Sequence, residues 1–259
     1  MVENLAASVE PPRRFQFDWV SGVFFKPRQA FARITGQTTG VWLTPLLIQT
    51  LTAVALVLAT GYVTQTYGVG MGREMPQIPE YYTPEQIAQI QQAMAGMQGP
   101  VFIYVFPTLI AIAKVWIGWL LVGGIIHLVS TMLGGRGNAT RAMNIVAWAG
   151  LPFAVRDIVR LLAALIGRNN LVSPGLAGFA PTDGSNLALF LAAFLALLDI
   201  YILWHIVLVV IGLRANNGLP LGKAIMAATL TILLVLIVQS LVSYLTSSLG
   251  GLTIIRPFF

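Results

Sequence analysis

Long apolar runs alternate with short polar stretches along this chain. Five of the runs are long enough to cross a bilayer, whose hydrocarbon core of roughly 30 Å takes about 20 helical residues. The pattern therefore predicts an all-α, polytopic membrane protein with five transmembrane helices between residues 41 and 248. The runs cover about residues 41–63, 101–133, 142–166, 186–213 and 222–248.

The segment before the first run, residues 1–40, is rich in aromatic and basic side chains. Its phenylalanines and Trp19 alternate with Lys26, Arg28 and Arg33. Aromatic bodies beside basic tips are typical of a helix in the lipid headgroup layer. A helix packed under the bundle would show the same pattern, so both arrangements stay open.

The longest polar stretch is the loop at residues 64–100, between the first two runs. Thr83 and Pro84 have the pattern of a helix N-cap and first helical position, and apolar residues recur after them at helical spacing. A short amphipathic helix is predicted here. A plain surface helix is favoured over a lid or a partner surface. Residues 249–259 are predicted to form a short tail.

Composition excludes a soluble domain and changes how the basic residues are interpreted. The chain is 57% hydrophobic and 9% charged, and its net charge is +6. We interpret these basic residues as topology signals and expect no nucleic-acid partner. Twelve of the fifteen basic residues lie between the predicted spans or near their ends. If the N-terminus is cytoplasmic, nine of these twelve lie on the inner side and three on the outer side. The inner set is Arg13, Arg14, Lys26, Arg28, Arg33, Arg136, Arg141, Arg214 and Lys223, and the outer set is Arg73, Arg168 and Arg256.

This distribution predicts a cytoplasmic N-terminus and a C-terminus outside. It also predicts that the third run crosses the membrane despite its charges. If that run only lay on the surface, every later segment would change sides. Arg214 and Lys223 would then lie outside, and neither side would keep a clear basic excess.

Five charged residues fall well inside the apolar runs, away from their ends: Lys114, Arg156, Asp157, Arg160 and Asp199. A central Arg or Asp costs roughly 2.5 to 3.5 kcal/mol to insert in lipid, so isolated charges would be unfavourable. Lys114, Asp157 and Asp199 lie 14, 10 and 13 residues from the outer ends Pro100, Gly167 and Asn186. These counts correspond to helix lengths of about 21, 15 and 20 Å.

The similar depths predict an interhelical polar cluster within the bundle. Three positive and two negative charges leave one positive charge. Ion pairs that fix the arrangement of helices are the simpler interpretation. A pathway for a proton, an ion or an anionic ligand is the alternative.

Catalytic chemistry has no support in the sequence. There is no cysteine, no H-E-x-x-H, no G-x-S-x-G and no glycine-rich phosphate loop, so we expect no enzyme, cofactor or metal. His127 and His205 lie about 220° and 240° around their helices from Lys114 and Asp199. We therefore interpret both histidines as interfacial or helix-contact residues.

Several segments together resemble the Yip family of multi-pass membrane proteins, in its bacterial form. The resemblance begins at VFFKPRQAFARI and continues through the third run as AWAGLPFAVRDIV. It is clearest at LLDIYILWHIVLVVIGLRANN in the fourth run. The matching positions are Pro27, Phe31, Gly150, Pro152, Asp199, Tyr201, Trp204 and Gly212.

The resemblance implies a five-span, non-enzymatic protein. Eukaryotic Yip proteins bind Rab-type GTPases through a long cytoplasmic region, whereas only about forty residues precede the first run here, so Rab binding is not carried over. A scaffold or partner-binding component in membrane organisation or trafficking is expected, in contact with lipid and other membrane proteins. It would lie in the cytoplasmic membrane of a bacterium or an endomembrane of a eukaryote. The alternative is a small transporter or channel subunit that uses the charged residues.

Overall fold

In the structure, a computed structural model, the regular secondary structure of the described residues is entirely helical. The structure describes residues 15–67, 99–168, 175–181 and 184–250, together with positions 83, 85, 86 and 96. The α-helices are α1 (Asp18–Phe25), α2 (Pro27–Thr35), α3 (Leu43–Tyr67), α4 (Phe106–Met132), α5 (Ala139–Ala149), α6 (Leu151–Gly167), α7 (Asn186–Ala196), α8 (Ile200–Asn217) and α9 (Leu221–Gly250). A π-helical turn, Val101–Val105, precedes α4.

Three helices among the described residues are long and apolar enough to cross a membrane by themselves. They are Leu43–Tyr67, Val101–Met132 and Leu221–Thr246. The bent pair formed by α7 and α8 supplies a fourth candidate. The prediction of an all-α membrane protein is therefore confirmed, and the third run is the one that differs most from a simple span.

The third run is divided at Gly150 into α5 and α6. Pro152 lies in the first turn of α6 and has no N–H to donate to the preceding turn. The N–H of Phe153 donates to the Gly150 carbonyl at 2.9 Å and thereby starts the new helix. An apolar run that looks continuous in sequence thus forms two helices.

The fourth run is also broken, although we expected one helix over 186–213. α7 ends at Ala196, α8 begins at Ile200, and the two axes differ by 61°. Asp199, in extended conformation, is the N-cap of α8. A residue expected inside a helix therefore lies at the joint between two.

The predicted interfacial segment forms α1 and α2, which meet at Lys26. Pro27 occupies the first helical position of α2, where its missing N–H has no partner in any case. Val23, Phe31 and Ile34 are buried in the main core. The segment therefore packs on the bundle, while Phe25 remains 84% exposed.

α6 runs alongside α3 in the same direction, and the last residues of α5 lie beside the start of α3. At the start of α3, the indole N–H of Trp148 donates to the Val41 carbonyl at 3.0 Å. At the other end, the Arg168 guanidinium lies 5.5 Å from the centre of the Tyr67 ring. Residues 148–168 of the third run thus lie beside the first candidate span.

Other sequence predictions concern segments that lie mainly outside the described residues. These segments are residues 1–14, most of the loop at 64–100 and the tail at 251–259. Within the loop, the Gln86 N–H donates to the Thr83 hydroxyl at 3.3 Å and the Thr83 N–H donates to Gln86 Oε1 at 3.0 Å. This reciprocal pair is a capping box, which is typical of a helix N-terminus.

Candidate functional site: a charged cluster at two helix breaks

Four of the five intramembrane charges lie together between α6 and the start of α8. Asp199 Oδ2 is 3.5 Å from Arg160 Nη2 and 3.7 Å from Arg156 Nη1. Arg156 Nε is 3.6 Å from Asp157 Oδ1. The carboxylate side chains are 12% exposed and the two arginine side chains 25% and 27%, so the cluster lies largely within the bundle.

Asp199 connects this cluster to the backbone of α8. Its Oδ1 accepts hydrogen bonds from the N–H groups of Tyr201 and Ile202, both at 3.0 Å. The first N–H groups of a helix have no partner within the helix, and an N-cap aspartate satisfies them. One carboxylate oxygen therefore caps the helix while the other faces the arginines.

Contacts between three planar side chains connect the cluster to the break in the third run. The Arg156 guanidinium lies 4.9 Å from the centre of the Phe153 ring, and that ring is 4.9 Å from the His205 ring. His205 Nδ1 is 2.8 Å from the carbonyl oxygen of Ala149. Because a carbonyl oxygen only accepts, Nδ1 is the donor in this bond.

The break at Gly150 leaves carbonyls that neighbouring helices satisfy. Gln49 Nε2, on α3, donates to the Ala147 carbonyl at 3.0 Å, and His205, on α8, donates to that of Ala149. Gly150 itself permits the approach of α3, since a Cβ at this position would lie 2.6 Å from Gln49 Oε1. Backbone groups freed in an apolar interior need such partners.

The cluster lies near the middle of α3 along the bundle. Gln49, beside the break, lies six residues before Ala55, the midpoint of α3, and Arg156 lies six residues after Gly150. Each interval is about 9 Å of helix. The charged side chains are therefore far from both ends of a candidate span.

Lys114, the fifth predicted member, lies on α4 with its side chain on an exposed face. It is outside the three ion pairs described above, although its charge and that of Arg156 repel each other. The four ion-paired residues have two positive and two negative charges. Within the described residues, Arg156 Nε and Asp199 Oδ2 are buried without a hydrogen bond.

The remaining family-like positions lie where helices meet. Phe31 of α2 is fully buried, and a Cβ at Gly212 of α8 would lie 3.0 Å from its ring and 2.5 Å from Ile145 Cγ2 of α5. Trp204 of α8 packs edge-on against Phe24 of α1, with ring centres 5.3 Å apart. These contacts join the N-terminal helices to the bundle.

Comparison with known families gives a match to a family model described as the Yip1 domain. The match covers residues 21–242, which is most of the chain. This protein belongs to the Yip1 domain family. The resemblance to the Yip family inferred from the sequence is thereby confirmed. Neither a curated protein nor a solved structure matches the chain.

In this Yip1-domain protein, the matched range begins within α1 and ends within α9. It includes both helix breaks and all four ion-paired residues. Gly150, Pro152 and Asp199, which carried the resemblance, form the breaks themselves. The family-like residues of the third and fourth runs thus specify where helices end and begin.

Sequence reasoning did not identify Gln49 as part of this region. Its only sequence signal is a lone amide within an apolar run, at a depth that corresponds to the Gly-x-Pro step of the third run. Among the described residues, no group of His, Asp or Glu side chains could hold a metal ion. The contacts that the structure shows at this site are ion pairs and hydrogen bonds to backbone groups.

Proposed function

We propose that this Yip1-domain protein is a non-enzymatic scaffold that crosses the membrane five times and associates with other membrane proteins. The observation that carries this proposal is the set of ion pairs that joins α6 to the start of α8. Arg156 and Arg160 are matched by Asp157 and Asp199, and both arginines contact the joint between α7 and α8. Such a cluster holds helices in place without requiring a ligand or a transported ion.

Five crossings are supported by the position of the third run beside α3. Its first helix ends near Val41, and its second helix runs from there to the vicinity of Tyr67. A segment that extends over the length of a candidate span crosses the same layer, even when a proline divides it. The orientation with the N-terminus in the cytoplasm follows from the basic residues.

Charge neutralisation separates a structural cluster from a transport site. Asp199→Asn keeps an oxygen that can cap α8 but leaves two arginines facing one aspartate. We expect this variant to lose folded protein in mild detergent, because removing one partner of a buried pair costs about 3–5 kcal/mol. The double variant Asp199→Asn with Arg160→Gln restores neutrality, and we expect it to recover most of the folded fraction.

The two variants are also tested for flux in proteoliposomes, across a panel of ions and small anions. Wild-type protein without flux agrees with the scaffold. Flux in the wild type that disappears in a folded Asp199→Asn variant would overturn it. Purification from the native host in mild detergent tests the association with other membrane proteins, and recovery of this chain alone would contradict that part.

A further inference from the structure

Gln239 is a polar residue on the exposed surface of the most apolar candidate span. The span Leu221–Thr246 of α9 has a mean hydropathy of 2.5. Gln239 lies about five residues beyond its midpoint, or about 8 Å, which is well inside a hydrocarbon half-thickness of about 15 Å. The side chain is exposed, and its amide makes no hydrogen bond within the described residues.

Two other polar side chains of α9 form hydrogen bonds to the backbone of their own helix, whereas Gln239 does not. The hydroxyl of Ser240 donates to the Leu236 carbonyl at 2.7 Å, and that of Thr246 donates to the Val242 carbonyl at 2.9 Å. The Gln239 amide has two donor hydrogens and an acceptor oxygen, which lipid chains cannot satisfy. In membranes, such amides form hydrogen bonds between helices.

A stripe along α9 surrounds this amide with side chains suited to helix packing. Val235, Gln239, Val242 and Thr246 follow one another at spacings of four, three and four residues. This is the spacing of a heptad seam, and a polar residue in such a seam fixes register and oligomeric state. Val242 and Thr246 are exposed and Val235 is half-buried, so the stripe is open to a neighbouring helix.

We propose that α9 binds α9 of a second copy of this chain along this stripe, with the two Gln239 amides hydrogen-bonded to each other. Two copies of one chain insert with the same orientation, so their Gln239 side chains lie at the same depth. In a two-fold pair each amide donates to the oxygen of the other. This inference goes beyond the scaffold proposal and requires only that α9 crosses the membrane.

Disulfide cross-linking of the full chain in liposomes tests the dimer directly, since the chain has no cysteine of its own. Val242→Cys places a thiol on the stripe. Ile237→Cys is the matched control, because it is also exposed but lies roughly on the opposite side of α9. We expect cross-linked dimer from Val242→Cys and several-fold less from Ile237→Cys. Equal cross-linking of the two variants would overturn the proposal.

Gln239→Leu tests the role of the amide. This variant should remain folded because the apolar leucine side chain is favourable in lipid. Helix content is measured to verify that it is folded. We expect its dimer dissociation constant in the membrane to rise by about 3- to 30-fold. An unchanged dissociation constant would overturn the proposal, as would a wild-type protein that is monomeric in liposomes or that cross-links in native membranes only to another protein.

Discussion

Asp199 shows how a charged residue is tolerated within an apolar bundle. A helix that starts in the interior exposes N–H groups that need acceptors, and Oδ1 of Asp199 accepts from two of them. The same carboxylate is attracted to Arg156 and Arg160 through Oδ2. The charge therefore serves the helix break and the ion pairs together, and replacing it affects both.

Gly212 provides a residue-level prediction about close packing. A Cβ there would lie 2.5 Å from Ile145 Cγ2, so Gly212→Ala forces α2, α5 and α8 apart. We expect a loss of about 1–3 kcal/mol in stability, measured as a lower unfolding temperature in detergent. Gly118→Ala on α4 is the control, because a Cβ meets no atom within 4 Å there. Equal loss in both variants would contradict a packing role for Gly212.

At the scale of elements, each broken run depends on a neighbouring helix. Pro152 interrupts the third run, and two carbonyls at the break accept hydrogen bonds from Gln49 of α3 and His205 of α8. α6 and α8 then lie antiparallel, so that Ala149, just before α6, meets His205, whereas Arg160, further along α6, meets Asp199 at the start of α8. The hydrogen bond and the ion pairs therefore fix a single register between these two helices.

Removing His205 should loosen this register. His205→Leu keeps an apolar side chain in the same space but leaves the Ala149 carbonyl without its donor. We expect a loss of about 1–3 kcal/mol, the usual cost of a buried acceptor without a partner, measured by thermal unfolding in detergent. His127→Leu on α4 is the control, since this half-buried imidazole makes no hydrogen bond within the described residues. The idea fails if the two variants unfold at the same temperature.

The sequence alone was sufficient to predict where the apolar helices lie but not where they break. Hydropathy is averaged over a window, and α5, α6, α7 and α8 are all apolar enough that the average does not fall where they meet. Pro152 and Asp199 were noticed for the family resemblance and for charge, yet their effect on the backbone depends on which neighbours supply partners. Gln49 could not be assigned because its acceptor lies 98 residues away in the chain.

The charged site was predictable to a similar extent. Helical spacing places Arg156 and Arg160 on one side of α6, and matched depths brought Asp199 to the same layer. The depth of Asp199 was counted along a straight helix, whereas α7 and α8 differ by 61°. The contact between Asp199 and the arginines thus depends on the bend between α7 and α8. Counting residues along a single straight helix cannot predict that bend.

On the scale of the whole molecule, four basic residues of the predicted inner segments, Lys26, Arg136, Arg214 and Lys223, lie near one end of the bundle. Lys223 Nζ, at the start of α9, donates to the Leu133 carbonyl at the end of α4 at 2.9 Å. Lys26 precedes α2, which packs against α8 near Gly212. Arg136 follows α4, and Arg214 lies in the last turn of α8. This concentration of positive charge favours a single cytoplasmic face.

Single cysteines can map this arrangement because the chain contains none. Ala139→Cys, Asn186→Cys and Ala215→Cys place thiols at exposed positions after the second, third and fourth runs. With five crossings, we expect a membrane-impermeant maleimide added to intact cells to label only Asn186→Cys. The other two should react after permeabilisation. If the third run does not cross, Ala139→Cys and Asn186→Cys will be labelled from the same side, and the broken pair α5–α6 will be a re-entrant segment instead.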